Sequence, residues 1–171
     1  QLGDHVEKGR HAMAMDEVRS SFTVTRWSNG KTTKPDIREI WFPGVHSDVG
    51  GGYADTHLSD IALHWMMQES KEAGLQFRSN VLPDIEGNYK AALHNSYKGV
   101  FAKMRSRPRN IPAVTKANNK QFHPAVFQRQ ENSPIQYSLY HPTRVLQVGE
   151  SITFDVFADT RWNSSGVYLN K

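Results

Sequence analysis

Residues 41–53 read WFPGVHSDVGGGY, and this stretch decides the fold class of the 171-residue chain. It overlaps a short run, residues 37–45, that is rich in β-branched and aromatic residues and is broken by Pro43-Gly44. Such a run predicts a buried strand that ends in a tight turn. Three consecutive glycines follow at residues 50–52. Because glycine loses more conformational freedom on folding than other residues, this run indicates backbone that needs positive φ or a close approach.

An amphipathic helix is predicted directly after the glycines. Apolar residues recur at helical spacing over residues 58–66. Ser59 and Asp60 are expected to cap its N-terminus, and Gly74 is expected to end it. We expect residues 65–67 (Trp65, Met66 and Met67) to be core rather than lipid-binding surface, because they continue the apolar face. Strand, glycine loop and helix in this order predict an α/β fold.

The other segments follow weaker patterns. Residues 11–17 fit either a short helix or a strand, residues 28–31 fit a turn, and residues 89–104 fit a helix. Alternating apolar residues on both sides of Gly149-Glu150 predict a β-hairpin, which belongs to antiparallel sheets. The sequence therefore predicts an α/β unit over residues 1–142 and the start of a β-rich segment over residues 143–171.

Composition excludes several classes of function. No apolar run approaches the roughly 20 residues needed to cross a bilayer. The absence of cysteine excludes disulfides, thiol nucleophiles and cysteine-ligated zinc. A net charge of +4 is mild, and no aromatic-basic module accompanies the basic residues at 103–109, so we predict no nucleic-acid partner. Since the chain opens on Gln1 and closes within a strand-like run, we expect it to be a piece of a longer protein.

His46 is the candidate catalytic residue. It lies just past the predicted buried strand, and substrates of open α/β sheets bind at the carboxyl ends of the strands. Two other interpretations remain open: an ordinary loop histidine beside a flexible connector, or a metal ligand together with Asp48 or His57. The spacing matches no standard metal site, and the glycines match no GxGxxG or Walker pattern. We therefore predict neither a metal nor a cofactor.

Four stretches of the chain carry a family resemblance. In order along the sequence they are HAMAMDE (residues 11–17), residues 41–53, LSDIAL (58–63) and FHPAV (122–126). Together they resemble the later part of the Tle1-like type VI secretion phospholipase domain, an α/β-hydrolase family also classified as a domain of unknown function. The resemblance runs from about Gly9 to Pro142. It implies that residues 1–142 are the C-terminal part of a catalytic domain with a partial α/β-hydrolase-type sheet, and that residues 143–171 begin a truncated antiparallel segment.

The resemblance also implies a catalytic mechanism. Members use a serine in a GxSxG elbow, an aspartate and a histidine, in that chain order, and the histidine motif reads Val45-His46-Ser47-Asp48-Val49 here. His46 is therefore carried over as the catalytic histidine. No GxSxG occurs in the 171 residues, so the serine and aspartate are expected before Gln1, and this piece alone is expected to be inactive.

Two carboxylates have structural and catalytic interpretations. Asp48 would either order the histidine loop through backbone amides near the glycines or be a solvated loop residue. We do not expect it to be the triad acid. For Asp16 we expect a bracing role in a strand or loop rather than a catalytic one.

The partners follow from the resemblance alone. It implies a phospholipid substrate, contact with a membrane surface, an immunity protein and a partner in the secretion apparatus. It also implies passage from the producer's cytoplasm into the periplasm or membrane of target cells by the type VI system. Two competing hypotheses are a non-catalytic docking module and a hydrolase of non-lipid esters.

Overall fold

A computed structural model describes residues 2–3, 5–27, 35–78, 87–115 and 117–132. Two strands, β1 (Lys8–Ala14) and β2 (Asp36–Phe42), form a parallel pair. The α-helices of this part are α1 (His46–Gly50), α2 (His57–Glu72) and α3 (Pro124–Glu131), and short 3-10 helices cover Ser20–Phe22, Gly99–Lys103 and Asn119–Gln121. The predicted mixed α/β class is confirmed at this level.

β2 has backbone partners on both sides. On one side it pairs with β1, with Ala14 opposite Phe42 at the carboxyl ends. On the other side Trp41 forms an isolated parallel bridge with Phe122, and the backbone N–H of His123 donates to the Trp41 carbonyl at 2.9 Å. Residues 11–14, which fitted either helix or strand, therefore belong to a strand.

The two faces of the sheet bury separate apolar clusters. Successive side chains of a strand point to opposite faces, so Trp41 and Phe42 enter different clusters. Trp41 packs with Met13, Met15, Val114, Phe122, Val126 and Phe127. Phe42 packs with Leu58, Ile61, Ala62, Trp65, Ala91, Leu93 and Ala125. Helix α2 thus covers one face, and residues from the later part of the chain cover the other.

Helix α2 begins earlier than predicted. Its N-cap is Thr56, so Ser59 and Asp60 lie in the first turn rather than at the cap. Ser59 instead donates its hydroxyl to the Thr56 carbonyl at 2.8 Å, a common bond of serine at helix starts. Gly74 follows the helix with a φ of 101°, as predicted for its end.

The apolar residues 65–67 of α2 differ in burial. Trp65 and Met67 are buried, which confirms the core assignment for both. Met66 is only partly buried and lines a cleft described below.

The helix predicted over residues 89–104 is wrong. Only Gly99–Lys103 is helical, and it is a 3-10 helix. Asparagine side chains accept from nearby backbone amides instead: Asn88 from Lys90 and Asn95 from Tyr97, both at 2.8 Å. Such local bonds stabilise turns, and they therefore compete with the formation of a helix.

Helix α3 was not predicted. Pro124 occupies its first turn, where a missing N–H costs nothing, and His123 is the N-cap. The Nδ1 atom of His123 accepts from the Ala125 amide at 3.2 Å, which requires an unprotonated nitrogen. Burial lowers the pKa of His123 to about 3 and so keeps the ring neutral.

Two predicted features, the turn at residues 28–31 and the hairpin within residues 143–171, lie outside the described residues. Within the described ranges, no helix combines the length and apolar character that a membrane span requires.

Candidate active site

The candidate site lies at the carboxyl ends of the two strands. Asp16 and Glu17 follow β1, and Gly44, Val45 and His46 follow β2. His46 is the first residue of α1 and is exposed, whereas Val45 before it and Asp48 after it are buried. The sequence prediction placed His46 in a loop; the structure places it at a helix start.

Three successive backbone amides of this loop donate to three different carboxylates. The Gly44 amide donates to Asp16 at 2.7 Å, the Val45 amide to Asp48 at 3.1 Å, and the His46 amide to Glu17 at 3.1 Å. Because each acceptor is a carboxylate oxygen, these bonds are expected to be stronger than an amide-carbonyl bond. We call these residues, 44–46 with their three acceptors, the amide clamp. It fixes the backbone of His46 while its side chain stays accessible.

Glycine is required at the first position of the clamp. Gly44 has a φ of 118°, and a Cβ there would overlap the side chain of Asp48. Further along, Gly51 adopts a φ of 84° just after α1, which agrees with the need for positive φ inferred from the glycine run.

Glu17 connects the clamp to the surrounding chain. Its buried carboxylate bonds the Arg19 guanidinium at 2.9 Å and accepts the Ser96 hydroxyl at 3.0 Å, in addition to the His46 amide. Burial by itself would raise the pKa of Glu17, but the bonds from Arg19, His46 and Ser96 together lower it to about 2. The carboxylate is therefore ionised throughout the physiological range.

Asp48 holds a second segment beside the loop. One oxygen accepts from the backbone amides of Val45 and His94, and the other lies 2.6 Å from Nδ1 of His94. The ring of Tyr53 stacks on the His94 ring with 3.8 Å between centroids. Burial and the charge of Asp48 raise the pKa of Tyr53, so its hydroxyl stays protonated.

The His46 side chain opens onto a cleft of about 810 Å³. The His46 and Phe22 rings form a T-shaped contact with 5.0 Å between their centroids. The Arg19 guanidinium, which also bonds Glu17, lies 3.9 Å from the centre of the Phe22 ring. The apolar lining of the cleft consists of Ala12, Met13, Ala14, Phe22, Val24, Val49, Ala62, Leu63 and Met66, and the cations Arg10 and Arg109 also border it. Five consecutive residues of β1, 10–14, line it, which is typical of a strand edge because side chains alternate between faces.

The structure bears out the bracing role expected of Asp16 and one of the two roles considered for Asp48. Asp16 braces the loop through Gly44, as predicted. Asp48 is buried and binds backbone amides, so the solvated alternative is wrong. His57 starts a different helix and is exposed, and within the described ranges no three His, Asp or Glu side chains converge as a metal site would require.

Sequence reasoning missed the residues that support the site from a distance. Glu17 had a signal, since it directly follows Asp16 in one of the family stretches. His94 and Ser96 had none, because they lie more than forty residues away in the sequence from the carboxylates that they contact.

The comparisons with known proteins agree with the sequence resemblance over the first part of the chain. Residues 1–69 match the family model described as the catalytic domain of Tle1-like phospholipase effectors of the type VI secretion system. An uncharacterized protein from Saccharomyces cerevisiae is 38% identical over 93 residues, which is 52% of this chain and 12% of the yeast protein. The chain thus spans only a small part of that relative. No solved structure matches.

The matched region contains both strands, the amide clamp and most of α2. The resemblance inferred from the sequence is thereby confirmed for residues 1–69, which match the Tle1-like phospholipase catalytic domain.

Proposed function

We propose that this chain supplies the catalytic histidine, His46, to a serine-dependent esterase that hydrolyses phospholipids. The observation that carries the proposal is the combination of a fixed backbone and an accessible ring. The amide clamp holds residues 44–46 through three carboxylates, and the imidazole borders a cleft with an apolar lining. A general base has to be placed within hydrogen-bond reach of the group whose proton it takes, and a rigid support lowers the cost of that placement.

In this proposal His46 takes the proton of a serine hydroxyl as the oxygen attacks the ester carbonyl. It then returns the proton to the leaving alcohol, and water repeats the cycle on the acyl-enzyme. The serine and the aspartate that orients the ring come from outside these residues, since the chain has no GxSxG. Asp16, Glu17 and Asp48 already bind backbone amides, which supports a structural role for all three.

The cleft supports a lipid substrate. Side chains of both apolar clusters and of α2, including Leu63 and Met66, border it beside His46. An acyl chain gains free energy by leaving water for such a surface, about 0.8 kcal/mol for each buried CH₂. We also propose that β1 and β2 belong to a larger α/β-hydrolase-type sheet, as the family resemblance implies.

The biological setting is proposed from the family description. Type VI effectors act in target cells, so delivery from the producer's cytoplasm to the target periplasm or membrane would require a partner in the secretion apparatus. The producing cell would keep an immunity protein. The yeast relative indicates that similar sequences also occur outside bacteria, so delivery has to be tested separately from catalysis.

The decisive experiment compares His46→Ala with His57→Ala in the protein of natural length. Both histidines are exposed and begin a helix, but only His46 borders the cleft. We expect release of fatty acid from phosphatidylcholine micelles to fall about 10³- to 10⁶-fold for His46→Ala and to change less than about twofold for His57→Ala. Unimpaired hydrolysis by His46→Ala would contradict the proposed role.

A panel of substrates separates the competing functions. Activity on soluble short-chain esters but not on phospholipids would favour the hydrolase of non-lipid esters. Absence of activity on every ester, in a folded protein, would favour the docking module.

A further inference from the structure

The later part of the described chain has a one-sided charge. Between Glu86 and Glu131 there is no aspartate or glutamate, whereas nine basic residues occur: Lys90, Lys98, Lys103, Arg105, Arg107, Arg109, Lys116, Lys120 and Arg129. The net charge of the whole chain, +4, conceals this segregation. A region with one sign of charge attracts partners of the opposite sign.

An exposed apolar tip lies within this basic region. The 3-10 helix Gly99–Lys103 presents Val100, which is 81% exposed, and Phe101, which is 46% exposed. Lys98 and Lys103 flank the tip, and Arg105 and Arg107 follow; all four are exposed. We call residues 98–107 the basic-apolar ridge.

The ridge is attached next to the candidate active site. The Ser20 amide donates to the Arg105 carbonyl at 3.0 Å, and the Arg107 amide donates to the Val18 carbonyl at 2.7 Å. These bonds join the ridge to the segment between β1 and the 3-10 helix Ser20–Phe22.

Side chains extend this connection to the cleft. The Arg19 guanidinium lies 4.9 Å from the centre of the Phe101 ring and 3.9 Å from that of Phe22. Phe22 in turn contacts His46 and lines the cleft. Three successive contacts, Phe101 with Arg19, Arg19 with Phe22 and Phe22 with His46, therefore connect the tip of the ridge to the candidate catalytic histidine.

We propose that the basic-apolar ridge docks on the surface of an anionic phospholipid bilayer. Val100 and the exposed edge of Phe101 enter the headgroup region, while the four cations contact lipid phosphates and carboxylates. Apolar side chains surrounded by lysine and arginine are the combination by which peripheral proteins bind anionic membranes. The inference extends the proposed phospholipase, because docking here would bring the cleft close to lipid esters.

A bilayer fits the ridge better than a nucleic acid does. Proteins that bind single strands stack bases on aromatic faces. The Phe101 ring carries the Arg19 guanidinium over its face, and the other tip residue, Val100, is aliphatic.

The test measures vesicle binding by the protein of natural length in the His46→Ala background, so that the vesicles stay intact. Flotation would use phosphatidylcholine vesicles with and without phosphatidylserine. The ridge variant combines Val100→Ser with Lys103→Gln. The matched control combines Leu75→Ser with Lys71→Gln, an exposed leucine and an exposed lysine near the end of α2.

We expect the ridge variant to lose at least about tenfold in binding to anionic vesicles, since one basic residue alone accounts for about fivefold. The control should bind within about twofold of its parent. A second variant, Arg105→Gln with Arg107→Gln, retains the apolar tip and should also weaken binding to anionic vesicles. Equal binding by ridge and control variants, or ridge-dependent binding to RNA or DNA without binding to vesicles, would overturn the proposal.

Activity separates this inference from the proposed function. With His46 intact, the ridge variant should hydrolyse soluble short-chain esters like the wild type but should hydrolyse anionic vesicles more slowly. If the protein hydrolyses no ester and yet binds vesicles through the ridge, the docking surface stands and the phospholipase proposal fails. If the protein hydrolyses lipids and the ridge variant binds vesicles normally, the phospholipase proposal stands and the docking surface fails.

Discussion

Residues 8–72 and residues 87–132 both pack on the two-stranded sheet, but they differ in regular structure and in charge. Of the residues that the structure describes, the first region contains both strands, the α-helices α1 and α2 and most of the carboxylates. The second region has no carboxylate before Glu131 and little regular structure before α3. The second region contacts the carboxylates of the first: His94 contacts Asp48, and Ser96 contacts Glu17. The position of the later region therefore depends on acidic residues that the earlier region holds in place.

The largest expected effect comes from removing Arg129, the cation that α3 buries. Arg129 is 1% exposed and donates through Nη1 to the carbonyls of Tyr89 and Ala91. Burial lowers the pKa of Arg129, and the charges of Asp16 and Asp48 oppose that change. Arg129→Met would leave the two carbonyls without their donor and would remove a buried positive charge that Asp16 and Asp48 attract. We expect the free energy of unfolding to fall by about 3–5 kcal/mol.

Urea denaturation measures this loss, and Lys120→Met is the matched control. Lys120 belongs to the same acid-free stretch but is exposed, so its replacement should change stability by less than about 0.5 kcal/mol. Equal, small effects of the two variants would show that α3 does not depend on the carboxylates of the first region.

The second effect depends on pH and concerns Glu17. Its pKa is lowered from 4.5 to about 2 in the folded protein, so its contribution to stability is complete above pH 4.5 and is lost as the pH falls towards 2. In Glu17→Gln this loss is absent. We expect wild type and variant to differ by up to about 3 kcal/mol at pH 7 and to converge near pH 2.

Unfolding experiments at several pH values test this expectation, with Glu7→Gln as the control at an exposed glutamate. The control should follow the wild type at every pH. A constant difference between Glu17→Gln and wild type from pH 7 to pH 2 would show that the charge of Glu17 is not what anchors the His46 amide.

The sequence is informative where a pattern is local. The run before Pro43 predicts β2, helical spacing predicts α2, and the glycines indicate positive φ, because each of these signals reflects the preferences of neighbouring residues. For the same reason the position of His46 at the carboxyl end of a strand follows from the local pattern of residues 37–46.

The sequence is uninformative where distant residues meet. Residues 89–104 have helix-compatible spacing, but asparagine side chains bind nearby amides, and contacts with Asp48 and Glu17 hold His94 and Ser96 in place. Single-residue preferences contain no information on such long-range pairs. The amide clamp was therefore predicted in part: Asp16 was assigned a bracing role, ordering of the loop was one of two roles considered for Asp48, and Glu17 was not assigned a role.

The smallest expected effect tests the contact between the two regions itself. Asp48→Asn keeps the shape of the side chain but removes its charge, and His94→Phe keeps an aromatic ring to stack on Tyr53 but removes Nδ1. Each single variant should lower the free energy of unfolding by about 1–2 kcal/mol. The double variant should lose about 1 kcal/mol less of this free energy than the two single variants lose together, because either substitution alone already removes the bond.

A second double-mutant cycle, with Thr56→Val and Asp60→Asn, gives the reference coupling energy for a bond within one region. There the Thr56 hydroxyl donates to the Asp60 carboxylate at 2.9 Å, but the contact is exposed and joins residues four apart at the start of α2. Its coupling should stay below about 0.5 kcal/mol, because water replaces such a bond easily. If the buried pair Asp48 and His94 shows an equally weak coupling, apolar packing rather than polar contact holds residues 87–98 against the amide clamp. The stability of the later region would then depend on the apolar residues Ala91 and Leu93.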